Sequence, residues 1–430
     1  MSVKLQVALD LMNLRRAVNI AKLAVDGGVD WIEAGTLLIK SEGMEAIRRL
    51  RKEFPDKKIF ADMKTMDVGG AEVEMASKAG ADIVGILGAS DDETIKESLR
   101  AARNYDTEIL VDLIQVPNKV ERAKEVCQLG IDYLGVHVGV DTQMKGADPL
   151  EIVEEVSSIS TVPIAAAGGI TSEDASEIVK RGAEIIIVGG AITKSKDVTE
   201  STRKIKRAIS EGISLKSDVS KKFGLENIRE IFEKVSTPNI SDAMHREPSM
   251  EGIIPMTIKG EKIIGKAFTV KTVDGDWAKP VEAIQAAEEG MVIVIDADAG
   301  RSAVWGELAS WSCHNKGING VVIDGALRDV DDIEELGFPV FARYRASNAG
   351  EPKGYGGLNN DIVCGGRKVR PGDWIIGDDS GVMVVPKEEA VQVANRALDV
   401  MEKENRIREE IKEGDTLSVV MELEKWEKQD

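Results

Sequence analysis

Residues 58–87 read KIFADMKTMDVGGAEVEMASKAGADIVGIL. The stretch opens and closes on short apolar runs, Lys58–Ala61 and Ile83–Leu87, joined by a segment of helical length that ends in glycine. Gly80 stands just before the second run, where a left-handed helix cap favours a residue without a Cβ. Strand, helix, cap and strand make the βα unit of a parallel sheet. The same unit recurs outward in both directions. Further runs lie at Leu5–Leu9, Trp31–Ala34, Ile109–Leu113, Tyr133–Val136, Ile164–Ala166 and Ile185–Val188, each followed by an amphipathic stretch. Gly28, Gly80, Gly130 and Gly182, in GGVD, AGAD, LGID and RGAE, mark every second unit. Eight such units with no spare strand predict an N-terminal (β/α)₈ TIM barrel over residues 1–210, an open doubly wound sheet being the rival arrangement.

A chain of 430 residues has room for a second domain beside that barrel, since domains run to roughly 150 residues. It carries 75 Asp and Glu against 56 Lys and Arg, a net charge of −19, so nucleic acid and anionic membrane surfaces are poor partners. No apolar run approaches the ~18 residues of a membrane span. The start, Met1 to Asp10, lacks the basic region and cleavage site of a secretory leader. Three widely spaced cysteines, Cys127, Cys313 and Cys364, make neither a disulfide framework nor a Cys-ligated zinc, and a reducing cytoplasm is the expected setting.

In a barrel the residues at the C-terminal strand ends face the active site. Read there, the sequence offers Asp10, Glu33, Asp62 with Lys64 and Asp67, Asp112, His137, then Gly168-Gly169 and Gly189-Gly190. The opposite strand ends carry only solvating Lys, Asp and Glu. A lone carboxylate at a strand end is most often a helix cap, and Asp112 is read no further than that. Asp62 and Lys64 are two apart in a strand, so their side chains share a face. A buried lysine between carboxylates stays protonated, and a fixed ammonium stabilises an oxyanion. Glu33 and Asp62, on adjacent strands, suit a hard Mg²⁺ ion. His137, followed by Gly139 and Asp141, reads as an acid/base. The glycine pairs after strands seven and eight leave backbone N–H groups free to approach a phosphate.

These residues carry a resemblance. Ala61-Asp62-Met63-Lys64-Thr65-Met66-Asp67 has the DxKxxD form of the orotidine 5′-monophosphate decarboxylase suprafamily. With Val7-Ala8-Leu9-Asp10, Glu33-Ala34-Gly35-Thr36, Lys40-Ser41-Glu42-Gly43, His137-Val138-Gly139-Val140-Asp141 and Val188-Gly189-Gly190-Ala191, the first 210 residues resemble the 3-hexulose-6-phosphate synthase family. The resemblance implies an Mg²⁺-dependent aldol reaction, with Mn²⁺ as a possible substitute, between formaldehyde and D-ribulose 5-phosphate to give D-arabino-hex-3-ulose 6-phosphate. Glu33 and Asp62 would hold the metal, His137 would move the C1 proton, and Lys64 would stabilise the enediolate. Asp10 would orient Lys64 or bind a substrate hydroxyl, and Asp67 would reach the partner's site in a barrel dimer. The alternative is a 3-keto-L-gulonate 6-phosphate decarboxylase-type barrel. Decarboxylase relatives, however, place Arg where this chain has Ala191, and the keto-gulonate enzymes another near Val138-Gly139-Val140.

From about Ser210 the text turns polar (SEGISLKSDVSKK), which predicts a linker over 211–224 and a second domain over 225–430. A helical pattern at Leu225–Val235 is broken by Ser236-Thr237-Pro238. Strand-like runs follow at Ile263–Ala267, Val292–Asp296, Val321–Asp324, Val340–Phe341 and Val382–Val385, and a long charged helix runs from Lys387 to about Lys412. Trp305-Gly306-Glu307-Leu308 and the later Asp324-Gly325-Ala326-Leu327-Arg328-Asp329-Val330-Asp331-Asp332 put an Arg-Asp pair at a strand-to-helix corner. An arginine there can bind a carboxylate while the Asp reaches a metal. The string resembles the family joining 4-hydroxy-4-methyl-2-oxoglutarate aldolase to the ribonuclease activity regulator A proteins. That resemblance implies a substrate site at Gly306, Glu307, Leu308 and Arg328, with Mg²⁺ anchored through water on Asp329. Glu307 departs from the Asp usual in aldolase members, so an oxo-acid lyase and a non-catalytic regulatory or assembly module both remain. The two families' habits imply a homo-oligomer, dimeric through the barrel and trimeric or hexameric through the second domain.

Overall fold

In the computed structural model, which describes residues 3–137, 139, 150–217, 228–257, 260–421 and 423, eight parallel strands close into the expected barrel. They are β1 (Lys4–Leu9), β2 (Trp31–Ala34), β3 (Lys58–Thr65), β4 (Ile83–Leu87), β5 (Glu108–Asp112), β6 (Tyr133–His137), β7 (Ile164–Ala167) and β8 (Ile185–Val188). Each pairs with the next, and β8 pairs with β1. Alternate residues divide between two cores, as a period of two requires. Ala8, Trp31, Phe60, Leu110, Ala165 and Ile187 belong to a small cluster inside the barrel. Their neighbours Leu9, Ile32, Ala61, Val111, Ala166 and Ile186 belong to the large cluster beneath the helices.

The glycine repeat has a structural cause. Gly28 and Gly80 cap their helices in the left-handed conformation, at φ 101° and 109°. The acid two residues after the glycine then closes the start of a neighbouring strand. Asp30 accepts from the Leu5 N–H at 2.7 Å, Asp82 from Ile59 at 2.6 Å, and Asp132 from Ile109 at 2.8 Å. These carboxylates satisfy strand-end donors at the mouth opposite the candidate site, so their recurrence concerns stability.

The second unit is built on a mixed sheet. Its strands are β9 (Ile254–Pro255), β10 (Ile263–Lys271), β11 (Val292–Asp296), β12 (Ala303–Trp305), β13 (Gly320–Leu327), β14 (Val340–Arg345), β15 (Gly357–Leu358), β16 (Ile362–Cys364), β17 (Arg367–Val369), β18 (Trp374–Asp378) and β19 (Gly381–Val385). The main order is β19-β18-β10-β11-β13-β14-β9, with β12 on β13 and β15 on β10, while β16 and β17 form a ribbon. Its centre, β10-β11-β13-β14, is parallel. β13 is buried along its whole length and carries the chain to the Arg328-Asp329 corner.

Some boundaries differ from expectation. Ser236-Thr237-Pro238 separates two helices, Ile228–Lys234 and Thr237–Ala243, and Ser236 caps the second through a capping box with Asn239, with Pro238 in its first turn. Proline is well placed there because that position's N–H has no helical acceptor. By their contacts, Met1–Lys222 and Glu402–Asp430 form one unit and Phe223–Met401 the other. The last segment therefore groups with the barrel instead of with the second domain. Its anchor is electrostatic: Arg16 Nε lies 3.0 Å from Glu410 Oε2, and both side chains are largely buried. Val138, Val140, Asp141 and the end of the proposed linker, 218–224, lie outside the described residues. No described helix is long and apolar enough to cross a membrane.

Candidate active site

The chemistry gathers at the C-terminal ends of β1, β2, β3, β5 and β6. β3 loses its regular register between Ala61 and Thr65, and Lys64 adopts the left-handed backbone region at φ 53°. Asp62 and Lys64 therefore meet through a bulge, and simple alternation along the strand does not account for it. The bulge sets Lys64 Nζ at 2.7 and 2.8 Å from the two Asp62 oxygens and 3.0 Å from Asp112 Oδ2. A left-handed lysine carries a backbone cost of order 1 kcal/mol, the kind of strain that accumulates at functional positions.

Asp112 is the residue that sequence reasoning undervalued. It is buried; its Oδ2 meets both Lys64 and, at 3.1 Å, His137 Nδ1, and its Oδ1 accepts from the Ile114 N–H at 2.9 Å. An ionised acceptor at Nδ1 fixes the tautomer with the proton on that nitrogen and leaves the lone pair on Nε2. Burial alone would raise the Asp112 pKa, but the hydrogen bond and charge of His137, with Lys64, outweigh it and hold the carboxyl at about 2. Burial likewise would lower Lys64, but Asp112 and Asp62 overcome it and raise the ammonium well above its ordinary value. The lysine is permanently charged at physiological pH.

The acids on the other side have the opposite balance. Glu33 is buried, and its pKa is raised well above the carboxylate range by burial, then by repulsion from Asp62 and Asp10. Gln6 Nε2 donates to its Oε2 at 2.5 Å. Asp10 keeps solvent access at the rim, yet the protein walls around it strip away water and Asp62 repels it, so its pKa is raised too. Asp62 also accepts from Thr36 Oγ1 at 2.7 Å.

Three carboxylates thus influence one another across a mouth with Lys64 as the nearest cation. Gln6 Oε1 is buried there without a hydrogen-bond partner among the described residues. This hard-oxygen, electron-rich donor set fits Mg²⁺. Among the described residues no three His, Cys, Asp or Glu converge as a metal-binding cage.

The glycine pairs follow side by side, since Ala167 of β7 stands opposite Ile187 of β8. Gly168 and Gly169 have φ 120° and 68°, conformations that side chains resist. A Cβ on Gly189 would stand 3.9 Å from Asp10 Oδ2, and one on Gly190 would stand 3.4 Å from Lys194 Nζ. Lys194 charge also opposes the raised pKa of Asp10, so this cation serves the same mouth. Sequence reasoning missed Lys194, whose one signal would have been a cation three residues after Ala191. Asp67 does not join the cluster; it is exposed and its Oδ1 accepts from the Val68 N–H.

In the second unit the Arg-Asp corner also assembles. Asp329 takes the left-handed conformation at φ 59°. Its Oδ2 lies 3.3 Å from Arg328 Nε and accepts from the Glu307 N–H at 3.3 Å. A Cβ on Gly306 would come within 2.6 Å of Asp329 Oδ2, so glycine is what permits this approach. Leu308 does not join; 76 % of it is exposed.

Comparison with known proteins accords with this geometry. Residues 3–205 match the Orotidine 5'-phosphate decarboxylase / HUMPS family, and residues 237–384 match the RraA-like family, Aldolase/RraA. The 3-hexulose-6-phosphate synthase of Bacillus subtilis (strain 168) is 40% identical over 210 residues, which is 49% of this chain and 100% of that protein. That of Mycobacterium gastri is 40% identical over 206 residues, 48% of this chain and 99% of that one. A crystal structure of a 3-hexulose-6-phosphate synthase, 40% identical, covers 48% of this chain and 99% of its own with a TM-score of 0.47. The barrel places this chain in the orotidine 5′-phosphate decarboxylase/HUMPS family as a lyase of the 3-hexulose-6-phosphate synthase kind, and the chain continues into an RraA-like domain.

Proposed function

We propose that the barrel catalyses the reversible aldol addition of D-ribulose 5-phosphate to formaldehyde, giving D-arabino-hex-3-ulose 6-phosphate. The observation that carries this reading is the chain Lys64–Asp112–His137, set beside two glycine pairs in a single mouth. Asp112 keeps the His137 lone pair on Nε2, which takes the C1 proton of the ketose. The enediolate oxygen that forms faces the Lys64 ammonium, already in place and already charged, so its stabilisation needs no reorganisation. C1 then attacks the formaldehyde carbon, and the new alkoxide recovers the proton from His137. Mg²⁺ held by Glu33 and Asp62 would acidify that C1 proton by polarising the ketose carbonyl. Gly168, Gly169, Gly189 and Gly190 would receive the phosphate through backbone N–H groups, with Lys194 supplying a positive charge. Asp10 would bind a substrate hydroxyl.

A barrel dimer is part of the proposal. Met66 and Val68, exposed by 54% and 63%, flank Asp67 and offer an apolar patch that a second copy would cover, bringing Asp67 to the partner's mouth. For the second unit we propose an oxo-acid lyase site at Gly306, Glu307, Arg328 and Asp329, supported by the close approach that Gly306 allows; pyruvate release with Mg²⁺, lost in Arg328→Ala, tests it. For the barrel the test is direct: protein, ribulose 5-phosphate, formaldehyde and Mg²⁺ are mixed and formaldehyde is followed. Loss of formaldehyde that vanishes in Lys64→Ala and His137→Ala is expected. Full activity in both variants removes the mechanism, and carbon dioxide release from a keto-gulonate phosphate would redirect it to decarboxylation.

A further inference from the structure

A cavity of about 520 Å³ in the second unit is lined by Arg301, Arg343, Arg345 and Asn348, with Tyr344 and Ala346, and by the apolar Ile254, Pro255 and Met256. It contains none of the residues of the Arg328-Asp329 corner. Its charge runs against the protein as a whole: in a chain of net charge −19, three arginines line the space and, among the described residues, no acidic side chain does.

The three arginines are held differently. Arg343 is fixed at the wall: its Nε donates at 2.6 Å to the buried Asp324, which also accepts from the Gly365 N–H. Its Nη groups have no hydrogen-bond acceptor among the described residues. Arg301 Cζ stands 4.5 Å from the centroid of the Tyr344 ring, a contact that holds the guanidinium without neutralising it. Arg345 donates Nη2 to the Met256 carbonyl at 2.9 Å and has no carboxylate partner among the described residues. Two guanidinium groups without counter-charge therefore face a space already positioned by a third.

Like charges drawn together are repelled unless an anion joins them, and guanidinium forks match the two oxygens of a carboxylate or phosphate. We propose that this cavity is a second ligand site of the protein, for a small organic oxyanion carrying at least two negative charges, phosphorylated or polycarboxylic. The apolar strip of Ile254, Pro255 and Met256 would hold the ligand's carbon skeleton, and Asn348 would add an amide hydrogen bond.

The test uses the full chain in equilibrium dialysis against labelled inorganic phosphate and, separately, labelled malonate, at fixed ionic strength. Arg301→Gln/Arg345→Gln is the main variant. Arg301→Gln alone changes an exposed side chain that rests against the Tyr344 ring and, among the described residues, makes no ion pair, so the fold should survive it. Because the barrel is itself proposed to bind phosphate, the expected result is one fewer saturable site per chain in the double variant, not the loss of all binding. The single variant should bind at least about tenfold more weakly at that site, as expected for one charged hydrogen-bond donor. Whichever probe loses the site identifies the ligand as phosphate-like or carboxylate-like. Equal stoichiometry for both probes in parent and variants overturns the proposal. So does a change of oligomer size in the variants without a change in anion count, which would assign these arginines to acidic side chains of a second copy.

Discussion

Replacing Asp112 by Asn removes the charge at the centre of the Lys64–Asp112–His137 chain while keeping its shape. The carboxyl is held at about 2 against an ordinary 3.8, and about 1.4 kcal/mol per pH unit converts this to about 2 kcal/mol of native-state stability at neutral pH. The sign follows from the direction. A depressed carboxyl pKa contributes fully above 3.8, loses its contribution as pH falls toward 2, and contributes nothing below. Urea unfolding of parent and Asp112→Asn should therefore differ by about 2 kcal/mol from pH 5 to 8, and the gap should close as the medium approaches pH 2. Lys64 keeps Asp62, so the fold should survive. Turnover should fall by at least 100-fold, the lower range for a misdirected general base, because Asn can no longer hold the proton on Nδ1 of His137. Equal stability at pH 7, a gap that persists in acid, or unchanged turnover would each refute the electrostatic account.

Three further outcomes follow from the same geometry. Lys194→Ala should raise KM for the phosphorylated ketose by about tenfold or more, the effect of one charged hydrogen bond, with a smaller change in kcat; steady-state kinetics at fixed salt read this, and an effect confined to kcat counts against a phosphate role. If Glu33 holds Mg²⁺ as proposed, its raised pKa makes the ion compete with a proton for that carboxylate. Calorimetry in buffers of different ionisation heat should therefore register proton release on binding, with affinity weakening as pH falls through the raised value, and Glu33→Gln should remove both. Gly80→Ala forces a side chain into φ 109°, where its Cβ would meet Arg51 Cγ at 2.8 Å; it should cost about 1–3 kcal/mol in chemical denaturation and leave KM alone.

Much of this was written in local pattern. The apolar runs of the barrel gave every strand within a few residues, because a strand buried on both faces needs a nearly continuous apolar stretch. The rim residues followed, since the direction of the chain decides which strand ends form one mouth. In the second half the runs found the central strands, but β18 (Trp374–Asp378) was not foreseen. It is short and starts directly after a Pro371-Gly372 turn, where no alternation can be read.

Charge coupling was not legible. Asp112 reads as an ordinary strand-end acid until β3 and β5 set it 3.0 Å from Lys64 and β6 brings His137 to the same carboxylate oxygen. Asp67 and Leu308, prominent in their motifs, fall outside the clusters because a motif records residue type and not direction. Sequence alone determined the barrel, its order and the inventory at its mouth, since these rest on hydrophobic period and glycine conformation, both local properties of the chain. Only the tertiary structure decided which acid holds the lysine, which histidine nitrogen stays free, and that Arg301 joins Arg343 and Arg345 of β14 around one cavity. Such pairings depend on distances between strands remote in sequence, and electrostatic interaction follows distance in space.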